Sequence, residues 1–308
     1  MPGSVAAPLH LDAAALHESV LGWYAQHARD LPWRRPDVSA WAVLVSEVML
    51  QQTSVARVLP AYEAWMVRWP TPTALAAAEP GAAVRQWGRL GYPRRALRLY
   101  AAAQACVDRH DGSVPSSLDE LLALPGVGRY TAAAVASFAF GQRHAVLDTN
   151  VRRVHARAVT GVAQPSLTAT AAEWRLAADL VPTELARAAT WAVAVMELGA
   201  VVCTARAPRC DECPIRDSCA WLRAGRPTYD GPPRRAQGYE GTDRQCRGRL
   251  LAVLRDTTGP VSRAQLEDAW SDAEQRGRAL GTLVADGLVE PLAADYYRLP
   301  VREWSART

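Results

Sequence analysis

The chain has 308 residues, enough for two or three domains, and its 49% apolar and 21% charged residues are the ordinary balance of a globular protein. All 35 basic residues are arginine, and the formal net charge is +4. Without lysine no side chain can form a Schiff base, which excludes lysine-based nucleophilic chemistry, while the mild basicity permits nucleic-acid binding without requiring it.

The first twenty residues lack a basic start followed by an apolar run, and the longest apolar stretch, 131–140, is about half of a membrane span. The expectation is therefore a cytoplasmic protein with no membrane partner. Residues 11–222 read as nearly continuous helix, with apolar spacings of three and four broken by Pro and Gly. The predicted helices are 39–59, 118–123, 131–140, 151–159, 171–180 and 186–199. Residues 225–241 are rich in Gly, Pro and Arg and read as a linker. Beyond it, helices are expected at 244–255, 262–270 and 272–286. A hairpin is expected between the segments beginning at Gly287 and Tyr296. Three helices and a hairpin in so short a span look like a winged helix, with Arg263, Arg276 and Arg278 as candidate DNA contacts.

Cys203, Cys210, Cys213 and Cys219 form a C-x6-C-x2-C-x5-C cluster that asks for a metal. Its single C-x-x-C pair suits an iron–sulfur cluster better than the paired knuckles of a zinc ribbon, though spacing leaves zinc open. Arg206 and Arg209, in the loop between the first two, are placed to meet phosphate. Cys106 and Cys246 read as small buried hydrophobes. Leu124-Pro-Gly-Val-Gly128 joins two helices, and Gly126 and Gly128 permit a tight turn whose free N–H groups can hold a phosphate. Glu47 lies in the apolar run Val43-Leu-Val-Ser-Glu-Val-Met-Leu50, where a carboxylate is either paired or functional. Asp148 precedes Asn150-Val-Arg-Arg153, where it serves as a helix cap or as a second functional carboxylate.

In order, Ser46-Glu-Val-Met-Leu-Gln-Gln-Thr53, Leu124-Pro-Gly-Val-Gly-Arg-Tyr-Thr131, Leu147-Asp-Thr-Asn-Val-Arg-Arg153 and the cysteine quartet resemble the helix-hairpin-helix glycosylases of the endonuclease III superfamily. The similarity is greatest to the MutY-type adenine DNA glycosylases and covers about residues 15–222. It implies an all-α, two-lobed fold with an iron–sulfur loop. One lobe would comprise 1–35 and 146–224, and the six-helix lobe with the hairpin 36–145. The linker is then 225–242, and the winged-helix-like module 243–308. The resemblance favours a [4Fe–4S] cluster. The implied partner is double-stranded DNA with a mispaired adenine opposite guanine or 8-oxoguanine, bound by a monomer.

The resemblance also implies roles. Glu47 protonates the leaving adenine, Asp148 stabilises the oxocarbenium sugar by charge or by a covalent bond, Tyr130 adds a hydroxyl, and Asn150 orients the site. Trp33, Arg34, Leu50 and Glu197 line the adenine pocket. Gln52 and Tyr92 wedge the stack beside the orphaned partner base, and Thr53 and Leu90 touch that base. Paired carboxylates with separated pKa values are a known solution for glycosidic bonds. Two features depart from the family. Pro93 stands where a second tyrosine is usual, and residues 243–308 are too few and too helical for the usual Nudix-like domain.

Three other readings stand beside this one. Endonuclease III itself uses a hairpin lysine, and this chain has Tyr130 there. A mismatch thymine or uracil glycosylase of the same fold also carries that tyrosine. A non-catalytic iron–sulfur DNA sensor would need neither carboxylate.

Overall fold

The computed structural model describes residues 12–231 and 238–301. The first eleven residues of the expected 1–35 segment, the middle of the linker and the end of the C-terminal module lie outside them. The described residues are helical apart from one small sheet. The helices before the cysteine loop are α1 (Ala13–His27), α2 (Ala40–Leu50), α3 (Val55–Arg68), α4 (Pro72–Ala76), α5 (Pro80–Trp87), α6 (Arg94–Arg109), α7 (Leu118–Leu122), α8 (Arg129–Phe140), α9 (Thr149–His155), α10 (Ala171–Asp179) and α11 (Leu185–Val201). After it come α12 (Ala220–Arg223), α13 (Asp243–Asp256), α14 (Arg263–Ala269) and α15 (Ala273–Ala285). Strands β1 (Val261–Ser262), β2 (Glu290–Leu292) and β3 (Tyr296–Arg298) complete the chain.

Two compact units emerge. The first is Met1–Val38 with Ala132–Pro232, and the second is Ser39–Thr131 with Pro233–Thr308. The division falls inside α8 rather than at residue 146, and the C-terminal residues group with the second unit rather than standing alone.

In the first unit α11 packs against both α1 and α9. Leu16 and Val20 of α1, Val151 and Val154 of α9, and Trp191, Val195 and Leu198 of α11 form the core. Local chemistry sets the starts: Asp12 caps α1 by accepting from the Ala15 N–H, and Thr170 and Glu173 form a reciprocal capping box on α10. The expected helix 151–159 is α9 followed by a π turn, Ala156–Thr160, which ends at the left-handed Gly161.

In the second unit Ser39 caps α2, and every residue from Trp41 to Met49 is buried, so this helix is surrounded rather than amphipathic. The single helix expected over 39–59 is interrupted. α2 stops at Leu50, Gln52 takes a positive φ of 53°, and α3 begins after Ser54. A left-handed non-glycine residue cannot continue a right-handed helix, and apolar periodicity carries no trace of it.

The C-terminal residues form three helices and an antiparallel sheet of order β1-β3-β2. The expected hairpin is the β2–β3 pair, with Pro291 opposite Tyr297; β1, which pairs Val261 with Tyr297, is too short to read as an alternating strand. Leu250, Leu251, Leu254, Leu266, Leu283 and Leu288 share one core with Val84 of α5 and Leu97 of α6. Backbone contact is equally close. Gly81 N–H donates to the Pro300 carbonyl at 2.7 Å, and Arg255 Nε donates to the Val84 carbonyl at 3.0 Å. Cys246 lies in this core and Cys106 is likewise fully buried.

Candidate active site

Glu47 lies on the surrounded helix α2 and is only 4% exposed. The Tyr130 hydroxyl donates to its Oε2 at 2.8 Å, so the second unit brings together the hairpin tyrosine and the buried carboxylate of α2. Tyr130 is delivered by the Leu124–Gly128 turn, closed by the Val127 N–H on the Leu124 carbonyl at 3.1 Å. Gly126 sits there at φ +78°, and a Cβ on it would stand 2.7 Å from the Arg98 Cβ, so both conformation and space require glycine. A Cβ on Gly128 would meet no atom within 4 Å, so the protein's own packing does not demand glycine at that position.

The same unit holds the residues expected to meet the DNA stack. Gln52 and Tyr92 are exposed, and both have positive φ, 53° and 47°. Leu50 is half-buried and Leu90 buried. The Thr53 hydroxyl donates to the Leu90 carbonyl at 3.4 Å, which brings those two segments into contact.

In the first unit Asp148 caps α9. Its Oδ1 accepts from the Val151 N–H at 2.7 Å and its Oδ2 from Asn150 Nδ2 at 2.8 Å. Of the two readings of Asp148, the helix cap is therefore present. Asn150 is held in turn by Arg153, whose Nη2 donates to Asn150 Oδ1 at 2.8 Å and to the Gly199 carbonyl at 2.6 Å. Arg153 Nε donates to the Cys203 carbonyl at 2.6 Å, so one guanidinium links the Asp148 cap to the first residue of the cysteine loop. Burial pushes the Asp148 carboxyl above its ordinary range, opposed by the bonds from Val151 and Asn150 and by the Arg153 charge.

Trp33 and Arg34 lie on the 3-10 turn Pro32–Arg34, with Trp33 buried. Arg34 Nη1 donates to Glu197 Oε2 at 2.9 Å. Arg29 grips the same carboxylate, Nε to Oε1 at 2.5 Å and Nη2 to Oε2 at 2.7 Å. Burial alone would raise the Glu197 pKa, but the Arg29 hydrogen bond and the two cations overcome it and hold the carboxyl below its usual range. Arg29 was not legible as a site residue. The signal that points to it is the buried glutamate on α11, which needs a cation close by.

The four cysteines lie together: Cys213 feels the thiols of Cys203, Cys219 and Cys210, and burial with this crowding pushes it up to about 12. Yet among the described residues no three Cys, His, Asp or Glu side chains converge as they would on a single metal ion. Four neighbouring thiols are the donor set that an iron–sulfur cube takes, one thiolate for each iron. Arg157 braces this loop by donating to Cys203 Sγ at 3.4 Å and to the Thr204 carbonyl at 2.7 Å, with its guanidinium stacked over Trp221.

Several arginines expected to meet phosphate also bond within the fold. Arg209 pairs with Glu212 at 2.8 Å and donates to the Val201 carbonyl, while Arg206 is exposed. In the C-terminal module Arg276 is buried and donates to the Trp270 carbonyl at 2.6 Å and to Glu267. Arg263 pairs with Glu267 and Asp295, and Arg278 with Glu274 and Asp243. Each of these three arginines thus has an acidic partner within the module; Arg276 is buried, whereas Arg263 and Arg278 stay exposed.

Among the described residues no helix is long and apolar enough to cross a membrane. Residues 45–175 match the model of the HhH-GPD superfamily of base excision DNA repair proteins, and residues 203–219 match the iron–sulfur binding domain of endonuclease III. An adenine DNA glycosylase of Mycobacterium tuberculosis is 52% identical over 96% of both chains. That of Mycolicibacterium smegmatis is 53% identical over 91% of this chain and 94% of its own. The human adenine DNA glycosylase is 45% identical over 68% of this chain and 39% of its own. A thermostable thymine-DNA glycosylase structure aligns with TM-score 0.61 at 27% identity, covering 69% of this chain and 97% of that one. An endonuclease III–DNA complex, at 22% identity and TM-score 0.58 over 70% of this chain and 100% of that one, shares the fold. With the Glu47–Tyr130 pair, the Asp148 cap and the clustered thiols in place, the chain belongs to the adenine DNA glycosylases, the helix-hairpin-helix base excision repair enzymes that carry a [4Fe–4S] cluster.

Proposed function

We propose that the chain removes adenine mispaired with guanine or 8-oxoguanine from double-stranded DNA, acting as a monomer and hydrolysing the N-glycosidic bond after the base has left the stack. The observation that carries this reading is the buried Glu47 carboxyl under the Tyr130 hydroxyl. Adenine leaves poorly until protonated, and a carboxyl enclosed by apolar helix α2 is a suitable proton donor. Asp148 then meets the opposite requirement, an anion beside a cationic sugar. Burial favours its neutral form in the free protein, whereas the positive charge that develops on the sugar favours the carboxylate. The bonds from Val151 and Asn150 hold its oxygens in one orientation throughout.

In the first unit Trp33 and Arg34 receive the base, with Glu197 anchoring Arg34, and in the second unit Leu50 is the residue read as contacting it. Gln52 and Tyr92 fill the stack, offsetting an unstacking cost of roughly a few kcal/mol, while Thr53 and Leu90 meet the orphaned base. The N–H groups around Gly126 and Gly128 receive a phosphate. Cys203, Cys210, Cys213 and Cys219 would hold the cluster, which would fix the loop they belong to. With no lysine among the side chains, only an N-terminal amine could form the Schiff base of a lyase step, and base release is read as uncoupled from strand cleavage.

Excision measured on duplexes with adenine opposite each of the four bases and 8-oxoguanine tests this. The expected products are free adenine from the guanine and 8-oxoguanine pairs, and strand breaks only after alkali. Release of thymine or uracil instead, or rapid nicking without alkali, would overturn it.

A further inference from the structure

The second unit contains a buried cation that the mechanism does not use. Arg95, near the start of α6, is 5% exposed, and among the described residues none of its partners is a carboxylate. Its bonds go almost entirely to backbone oxygens on two separate segments. Nη1 donates to the carbonyls of Val48 at 2.8 Å, Met49 at 3.1 Å and Gln51 at 2.6 Å, capping the C-terminal end of the Glu47 helix. Nη2 donates to the Gly91 carbonyl at 3.1 Å and to Thr53 Oγ1 at 3.2 Å. The guanidinium also lies over the rings of Trp87 and Tyr92, 5.2 and 5.3 Å from their centroids. Burial lowers its pKa to about 10, still high enough to keep it charged at neutral pH.

The positions of the bonded carbonyls matter. Gln51 and Gly91 immediately precede Gln52 and Tyr92, and these two non-glycine residues have positive φ. A carbonyl fixes its peptide plane, and that plane contains the nitrogen about which φ of the next residue is measured. Left-handed conformations of such residues persist only where their surroundings over-determine them. A rigid fork with donors on both nitrogens can fix two peptide planes at once, which a lysine ammonium on a flexible stem cannot do equally.

We propose that Arg95 is a positioning residue that clamps the Gln51 and Gly91 carbonyls, holding Gln52 and Tyr92 in the strained conformations from which both enter the base stack. The inference rests on the reading of these two residues as wedges.

The test compares Arg95→Met and Arg95→Lys with the unaltered protein. Single-turnover excision is measured on adenine opposite guanine and on adenine opposite a tetrahydrofuran abasic analogue, where there is no partner base to unstack. Cluster absorbance and circular dichroism verify folding. For Arg95→Met the rate on the guanine pair should fall about 10²-fold, the scale of a misplaced positioning group, with a much smaller fall opposite the abasic analogue. Arg95→Lys should recover part of this loss. An equal fall on both duplexes, no fall at all, or failure of both variants to fold would overturn the proposal, since the residue would then serve overall stability or nothing. Gln52→Ala and Tyr92→Ala separate the two readings. If neither shows a selective loss on the guanine pair, the wedge assignment fails. If they do and Arg95→Met does not, the clamp alone fails.

Discussion

Gly199 on α11 faces Asn150 across the first unit's core, and replacing it with alanine perturbs the Asp148 cap without touching any titratable group. A Cβ at this position would stand 2.7 Å from the Asn150 Cβ and 2.8 Å from its carbonyl oxygen. These atoms cannot swing away as the end of a flexible side chain would. Relief to ordinary contact at 3.4 Å requires the α9 start to move by about 0.7 Å, and overpacking of this kind costs about 1–3 kcal/mol. Melting should fall by about 2–4 °C for each kcal/mol. The same displacement stretches the 2.8 Å bond from Asn150 to Asp148 and the Arg153 bond to the Gly199 carbonyl. A hydrogen bond to a charged group is worth roughly 1.5–3 kcal/mol, so single-turnover adenine excision should slow roughly 10- to 100-fold. The assay uses saturating DNA, so that binding does not limit, and cluster absorbance shows that the loop is intact. An alanine variant with an unchanged excision rate would refute the idea that Asn150 must stand where it does.

Three further outcomes follow from other parts of the molecule. Cys213→Ser should abolish the brown colour of anaerobically purified protein and lower its iron from about four atoms per chain, with DNA affinity falling together; stoichiometric zinc in the unaltered protein would contradict the cluster. Gly81→Val should dislodge the C-terminal residues, because even a Cβ there would stand 2.6 Å from the Pro300 carbonyl oxygen. Proteolysis should then cut within 238–301 while the cluster lobe stays intact, and an unchanged cleavage pattern would contradict the docking. His155 is buried, neither ring nitrogen has a partner among the described residues, and burial lowers its pKa to about 4. Its unfolded value near 6.5 is higher, so the folded state binds the proton less well: the contribution is complete above about pH 6.5 and is lost as pH falls towards 4. The loss is on the order of 3 kcal/mol. His155→Leu should flatten the acid limb of the stability–pH curve, and an identical slope would refute this.

What the sequence makes legible is whatever leaves a chemical or periodic mark. The cysteine quartet, the hairpin turn and the two acidic motifs can be found because their residue types are restricted by their tasks. The helices can be found because their apolar faces repeat. The break between α2 and α3 left no such mark: it is a backbone event at Gln52, stabilised by an arginine more than forty positions away in sequence. Arg29, Arg95 and Arg157 escaped for a related reason. In a chain whose only basic residue is arginine, sequence does not separate those that bond buried carbonyls from those that face solvent. The same ambiguity hides the acidic partners that Arg263, Arg276 and Arg278 have within the module's own fold.

The central claim is that Glu47 is the acid that releases adenine, and Glu47→Gln tests it most directly. Glutamine keeps the volume and retains an oxygen to accept the Tyr130 hydroxyl bond now 2.8 Å long, but it has no acid proton to give. Single-turnover release of adenine and equilibrium affinity for the same mispaired duplex should be measured side by side on one preparation. The expected result is a fall in release of at least about 10²–10⁴-fold, the usual range for a general acid, with affinity little changed. Release at a rate near that of the unaltered protein would contradict the assignment.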